Sequence, residues 1–400
     1  MNFGKVALAG AFIKRNQVNR EKKYKMTLVF CNSCKLLQIK EKIKPKVLFE
    51  NYFYFSSFIK TLSKHFKQYS KYLIKLSQKN NLKSILEIGC NDGILLRNFI
   101  NQKFNLIIGV DPARNVLKSI KKKEIIKFPD FFSYKNSKII KKKYGDIDII
   151  TASNVFAHIN DIRDAVKGVE NLLSDEGLFI FEVHYLGNLL KKYQFDMIYH
   201  EHIYYYSINS AINLLKQFNL RVIDYNMINI HAGSIRIVST KCNNKYKVKK
   251  KVIDLSLKEK KQGFNSINFY KNYSNAIDNK MIKLITLINN LKKNNKKIFA
   301  YGASGRANTI LQYCNFTNDQ IDMIIDDSPK KNNFITPGSH IKITNKRSLI
   351  SKEKPDYILI LAWSFFNEIV QKNLKYFSYP CKVILPLPNL KVLNIGDYLK

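Results

Sequence analysis

Ser84-Ile85-Leu86-Glu87-Ile88-Gly89-Cys90-Asn91-Asp92-Gly93, continuing into Ile94-Leu95-Leu96-Arg97, is the stretch that decides the fold class. A short apolar run ends at Glu87-Ile88-Gly89, a glycine-containing turn follows, and a helical pattern opens at Asp92. This reads as a strand–turn–helix unit, in which small residues let a nucleotide-like ligand approach the backbone. A second apolar run, Leu106 to Val110, ends at Asp111. An acid at the end of the second strand, about 20 residues on, is where such units grip a ribose hydroxyl. Nicotinamide enzymes usually write the turn as G-x-G-x-x-G. The spelling Gly89-Cys90-Asn91-Asp92-Gly93 after Glu87 favours S-adenosylmethionine over NAD.

Outward from this unit, residues 81–240 alternate strand and helix patterns. Strand candidates are Ile85–Ile88, Leu106–Val110, Ile147–Ala152 and Leu178–Glu182, with Leu220–Asp224 and Ser234–Ser239 as an antiparallel edge. The alternation predicts an α/β fold with a doubly wound, mostly parallel sheet and helices on both faces. Ligands bind such sheets at the carboxyl ends of the strands, so Gly89, Asp111, Asn154 and Glu182 are expected on one rim. Residues 1–80 form a small, mixed N-terminal lobe with Cys31-Asn32-Ser33-Cys34 and the aromatic patch Tyr52-Phe53-Tyr54-Phe55. Residues 241–292 are lysine-rich with helical spacing and read as a connector. Residues 293–400 start a second α/β unit, whose strand Lys297–Tyr301 runs into Gly302-Ala303-Ser304-Gly305-Arg306, with strands near Met323–Ile325, Tyr357–Leu361 and Lys382–Leu385.

Composition narrows the class. The chain has 400 residues, 46% of them hydrophobic, which is ample for several packed cores. No apolar run approaches the ~20 residues that span a bilayer. Val6–Ile13 is short, and its basic residues Lys14-Arg15 follow it, the wrong order for a signal peptide. A cytoplasmic enzyme without a membrane partner is expected. The six cysteines include one close pair, Cys31 and Cys34, as suits a reducing compartment. The net charge of +38 comes mainly from scattered lysines, with few arginines. Specific nucleic-acid sites lean on arginine and clustered patches, so no nucleic-acid partner is expected, although an anionic small substrate is easily accommodated.

Chemistry concentrates at Tyr199-His200-Glu201-His202-Ile203-Tyr204-Tyr205, which holds two of the seven histidines. A packed core gains little from these side chains, because each needs a polar partner once buried. Imidazole titrates near neutrality, and a neighbouring carboxylate or phenol can orient it or share its proton.

From Asn2 to the C-terminus the chain resembles the sugar-nucleotide C-methyltransferases, which use S-adenosylmethionine in deoxysugar biosynthesis. The matching stretches are Glu87–Gly93, Gly109-Val110-Asp111-Pro112-Ala113, Ala152-Ser153-Asn154-Val155-Phe156-Ala157-His158 and Phe195-Asp196-Met197-Ile198-Tyr199-His200-Glu201-His202. They continue with His231-Ala232-Gly233-Ser234-Ile235-Arg236, Tyr301-Gly302-Ala303 and Pro337-Gly338-Ser339-His340-Ile341. The resemblance implies a zinc-binding N-terminal lobe, a central class I methyltransferase domain, and a C-terminal Rossmann-like lobe that helps hold the nucleotide sugar. Two departures stand out. The family's zinc lobe carries two C-x-x-C pairs, and only the second, Cys31 and Cys34, is present, so zinc is doubtful: a tetrahedral structural site needs four ligands. Either the lobe is metal-free or the first pair precedes Met1. Ala232 stands where the family usually has glycine.

Carbon methylation needs a base on one face of the acceptor, the methyl donor on the other, and a group to steady an enolate oxygen. His202 is the expected base, oriented by Glu201 or His200. Tyr199 is a relay or oxygen donor, His184 an enolate stabiliser, and Tyr54 or Tyr52 reaches in from the N-terminal lobe. His158 reads as helix packing. For the donor, Glu87, Gly89, Asn91 and Gly93 line the methionine end, Asp111 takes the ribose, Asp130-Phe131 flanks adenine, and Asn154 sits over the donor. For the acceptor, Ser304 and Arg306 offer a helix N-terminus and a cation to the diphosphate, with Lys330 nearby. His231, Ser234 and Arg236 help place the sugar or its phosphates. The oligomeric state expected is a monomer, and the expected pathway leads to a cell-surface polysaccharide. Two other classes stay open: a NAD(P)-dependent oxidoreductase, from the Gly302-x-x-Gly305 turn, and a basic RNA-binding or scaffold protein, from charge.

Overall fold

The computed structural model describes residues 1–49, 57, 60–230, 233–346, 354–373 and 381–394. The strand opening the diagnostic stretch, β4 (Ser84–Ile88), is buried at all five positions. That is the signature of a strand covered on both faces. It pairs in parallel with β5 (Leu106–Val110) and β7 (Ile147–Ser153). β6 (Ile126–Phe128) extends the sheet beyond β5, and β8 (Leu173–His184) beyond β7, both in parallel. β11 (Ser234–Lys241) and β10 (Leu220–Ile228) close the other edge antiparallel. The seven strands run β10-β11-β8-β7-β4-β5-β6. The strand order reverses at β4, so the ends of β4, β5 and β7 surround the switch point where such sheets bind ligands.

Helical spacing supplies the two covers. The helix Lys60–Asn80 lays Leu62, Phe66, Tyr69 and Leu73 on one face, at i, i+4, i+7 and i+11. The helix Ile162–Leu172 lays Ile162, Ala165, Val166 and Val169 on the other. The helix expected from Asp92 is not formed as such. Turns occupy this segment until a 3-10 turn at Leu96–Phe99. Asn91 and Gly93 are both left-handed, which an α-helix cannot include.

The N-terminal lobe is an antiparallel sheet of β1 (Asn2–Ala7), β2 (Lys23–Phe30) and β3 (Leu37–Ile39), completed by β9 (Tyr204–Tyr205) from the central chain. The C-terminal lobe has β12 (Ile298–Tyr301), β13 (Met323–Ile325), β14 (Ile343–Thr344), β15 (Tyr357–Ile360) and β16 (Lys382–Leu385) in parallel, with β17 (Lys391–Asn394) antiparallel at the edge. One apolar core unites the two outer lobes. Met26 and Leu37 belong to the same cluster as Phe195 and Met197, Met281 and Leu284 of the long helix Ile267–Lys293, and Ile310 and Leu359. The Tyr199–His202 segment is thereby held between the outer lobes and the rim of the central sheet. Among the described residues no helix is long and apolar enough to cross a membrane.

Candidate active site

The rim above β4, β5, β7 and β8 is acidic. At its start the backbone is left-handed at Gly89 (φ +70°), Asn91 (φ +49°) and Gly93 (φ +72°). A Cβ at Gly89 would lie 2.3 Å from Val155, and one at Gly93 would lie 3.1 Å from Ile120. Backbone conformation and packing against these side chains therefore demand the glycines, which were expected to leave room for a ligand. Asp111 ties the two turns together: Asn91 N–H donates to its Oδ2 and Ala113 N–H to its Oδ1, each at 2.9 Å. Burial pushes the Asp111 carboxyl up, opposed by those two bonds. Glu87 is fully buried, and its Oε2 has no partner among the described residues. Burial pushes its carboxyl well above the usual range, and Asp111, Asp92 and Glu182 push it further. Asn154 is left-handed (φ +57°), donates its N–H to the Glu182 carbonyl at 2.8 Å, and buries an unpartnered Oδ1. Asp130 and Phe131 follow β6, with the Phe131 ring exposed.

Two residues expected to touch the acceptor are engaged elsewhere. Arg236 donates from Nε to Glu182 Oε1 at 2.7 Å and lies over the rings of Tyr69 and Tyr72 at 3.9 and 4.9 Å. His65 Nε2 meets the other Glu182 oxygen at 2.8 Å. Although burial opposes it, these two partners hold the Glu182 carboxyl below the usual range. Arg236 is thus a buried counter-ion inside the sheet. Ser234 is fully buried, and its hydroxyl donates to the Ile230 carbonyl at 3.2 Å. His231 and Tyr54, with Tyr52 and Ala232, lie outside the described residues.

The histidine segment is built around His202. Its Nδ1 lies 2.9 Å from the Met197 carbonyl, and its Nε2 lies 2.9 Å from the Tyr199 hydroxyl. A carbonyl only accepts, so in the neutral ring the proton sits on Nδ1 and Nε2 accepts from Tyr199. The rings of His158 and His184 lie 5.1 and 5.0 Å from that of His202. His158 Nδ1 donates to the Glu201 carbonyl at 2.5 Å, and burial lowers its pKa. Glu201 and His200, expected to orient His202, turn into the N-terminal lobe instead. The Glu201 carboxyl faces the Gly10 N–H and is pushed up by burial. His200 Nε2 meets the Lys25 carbonyl at 3.3 Å. The chain turns here, closed by His202 N–H on the Tyr199 carbonyl at 2.8 Å, and the turn carries these two away from the rim, so Met197 and Tyr199 orient the ring.

In the C-terminal lobe Ser304 caps the helix Gly305–Tyr313, its hydroxyl accepting from Ala307 N–H. Arg306 is paired: Nε and Nη2 each lie 2.8 Å from Asp196 Oδ2, and Nη1 donates to Ser364 Oγ at 2.9 Å. Its charge is answered inside the protein, which removes the free cation expected for a diphosphate. Lys330 is exposed on the 3-10 turn Pro329–Lys331.

Cys31 and Cys34 are free thiols on one turn, closed by Lys35 N–H on the Cys31 carbonyl at 2.9 Å. Among the described residues no group of three or more potential ligands surrounds a metal position. This pair alone does not fit a structural zinc, which needs four ligands.

Several contributors were hidden in the sequence. His158 stood in a quoted motif but looked like packing. Met197 acts through its backbone, which no side-chain pattern reveals. Asp196 and Trp363, the chain's one tryptophan, meet across 167 residues, Trp363 Nε1 donating to Asp196 Oδ2 at 2.9 Å.

Three family models match in succession. One described as a zinc binding domain covers residues 1–49, a methyltransferase domain covers 62–225, and a C-methyltransferase C-terminal domain covers 229–388. The C-methyltransferase NovU of Streptomyces niveus is 28% identical over 400 residues, covering 100% of this chain and 95% of that protein. Among solved structures, an S-adenosylmethionine-dependent methyltransferase from Clostridium acetobutylicum ATCC 824 aligns with a TM-score of 0.36 at 18% identity, over 44% of this chain and 92% of that one. Magnesium protoporphyrin IX methyltransferase (ChlM) from Synechocystis PCC 6803 aligns with a TM-score of 0.34 at 8% identity, over 45% of this chain and 79% of that one. The methyltransferase and C-methyltransferase models matched in order, and a C-methyltransferase similar from end to end, support a class I S-adenosylmethionine-dependent C-methyltransferase.

Proposed function

We propose that the enzyme methylates a carbon beside the ketone of a nucleotide-linked keto-deoxysugar, with His202 as the base. The observation that carries the reading is the fixed tautomer of His202. Its Nδ1 proton is tied to Met197, which leaves Nε2 as the acceptor beside the Tyr199 hydroxyl. The C–H bond next to the ketone breaks, its electron pair moves toward the carbonyl oxygen, and the proton passes to Nε2. It passes either directly or through Tyr199, whose phenol gives its own proton to Nε2 as it takes the sugar's. His184 and His158, packed against the same ring, are the candidates to steady the enolate oxygen.

The rim suits a cationic donor. The orphaned, buried Glu87 oxygen has three carboxylates as its charged neighbours, so a positive group there relieves their repulsion. When bound, S-adenosylmethionine supplies an electrophilic methyl group on a sulfonium. Glu87, Asn91 and the Gly89–Gly93 turn would hold its amino-acid end, Asp111 its ribose, Asp130 and Phe131 its adenine, and Asn154 would lie over it. The N-terminus of the helix capped by Ser304, with Lys330, would take the acceptor's diphosphate. A cytoplasmic role in making deoxysugars for a cell-surface polysaccharide goes with this reading.

The test holds a 4-keto-6-deoxyhexose nucleotide in heavy water with enzyme and S-adenosylhomocysteine. The proton beside the ketone should exchange. In His202→Asn, exchange and methylation should fall together by about 10²–10⁴-fold, with donor binding unchanged. A variant that exchanges and methylates at the parent rate moves the base to Tyr199 or His184.

A further inference from the structure

Asp196 is wholly buried, yet two residues of the C-terminal lobe converge on one of its oxygens. Arg306 reaches it through Nε and Nη2, each at 2.8 Å, and Trp363 through its indole N–H at 2.9 Å. The guanidinium also lies 5.2 Å over the Trp363 ring, so the two donors brace each other. Asp196 stands next to Met197, whose carbonyl fixes the His202 Nδ1 proton, and three residues before Tyr199, whose hydroxyl meets Nε2. Both partners of His202 therefore come from the segment this ion pair anchors. The same lobe touches the segment again. A Cβ on Gly305, at the start of the Arg306 helix, would lie 3.8 Å from the Tyr199 ring, and the Thr309 hydroxyl sits 3.4 Å from the Ile198 carbonyl.

We propose that Arg306 and Trp363 are positioning residues for His202: through Asp196 they set the segment that supplies both hydrogen-bond partners of the imidazole. The inference rests on reading His202 as the base. It gives the C-terminal lobe a part in proton abstraction besides any part in holding the acceptor. It also separates two roles for Arg306. A diphosphate ligand would act mainly on acceptor affinity, whereas an anchor of the base acts on turnover.

The experiment labels the full chain with 15N-histidine and follows the His202 ring nitrogens by NMR, using His202→Asn to identify the signal. The parent should show the single tautomer protonated at Nδ1. In Arg306→Lys and Trp363→Phe the His202 signals should move toward the ordinary tautomer mixture. Turnover of a 4-keto-6-deoxyhexose nucleotide should drop, by up to about 10²-fold for a displacement near 1 Å, with less change in KM. Calorimetric binding of S-adenosylmethionine should hold, which certifies the fold. Trp363→Phe keeps an aromatic ring in place and removes the N–H with part of the bicycle, so it serves if Arg306→Lys does not fold. Unmoved His202 signals in a folded variant overturn the proposal, as does a raised KM at unchanged turnover. The NMR result needs no substrate. A parent enzyme inactive on the keto sugar would therefore sink the proposed reaction and still leave the anchor to be decided.

Discussion

Gln312 grips Ala7 from both sides: its Oε1 accepts the Ala7 N–H at 2.7 Å, and its Nε2 donates to the Ala7 carbonyl at 3.3 Å. The last residue of the first strand thus finds its hydrogen bonds on a side chain from the C-terminal lobe. Ala7 is buried, so nothing else is at hand to replace them. Gln312→Ala should cost about 1–3 kcal/mol, the cost of stranding buried backbone groups. Urea denaturation measures it, and a change within a few tenths of a kcal/mol would mean that water repairs the site.

Asp111→Ala should weaken S-adenosylmethionine binding by about 1.5–3 kcal/mol, the scale of a charge-assisted hydrogen bond. Unchanged affinity by calorimetry would remove Asp111 from the donor site. Because Asp111 also bridges Asn91 and Ala113, a melting scan must accompany the measurement.

Glu87 carries a raised pKa in the free protein. A cation bound beside it favours the ionised form, so donor binding should release protons. Affinity should rise with pH through the range in which Glu87 ionises, and then level off. Calorimetry in buffers of different ionisation enthalpy reads the released protons directly. In Glu87→Gln the buffer dependence should vanish.

Burial lowers the pKa of both His158 and His200. The unfolded chain therefore binds protons more readily than the folded one just below about pH 6.5. Their contribution to stability is present above that value and is lost as pH falls through it. The loss of stability between about pH 7.5 and pH 5.5 should be smaller in His200→Gln than in the parent. An equal loss would show that His200 titrates alike in both states.

As it stands, the chain should purify without stoichiometric zinc, because Cys31 and Cys34 supply two of the four ligands a structural site needs. Elemental analysis finding one tightly held zinc per chain would mean that other groups complete the site.

Much of the fold could be read from periodicity. Ile85–Ile88, Leu106–Val110 and Met323–Ile325 match observed strands to within a residue, because buried parallel strands are written as unbroken apolar runs. The acidic rim followed from the strand order. What stayed hidden depends on distance along the chain. Arg306 looked like a cation for phosphate because its counter-ion lies 110 residues away. Arg236 misled in the same way, with Glu182 on a neighbouring strand. Glu201 and His200 sat beside His202 in sequence, and the turn of the backbone carried them off.

The two residues of β9 have a bearing on how the chain is made. They complete the N-terminal sheet by pairing Tyr205 with Leu37 and Tyr204 with Gln38, yet they follow the whole parallel half of the central sheet in sequence. During synthesis β3 waits with an open edge until the ribosome has delivered residues 204 and 205. Long-range pairing of this kind is slow, and an open edge invites wrong partners. A fragment ending near residue 80 should therefore aggregate, and completion of the N-terminal sheet should be among the last events of folding, arriving together with the segment that carries His202.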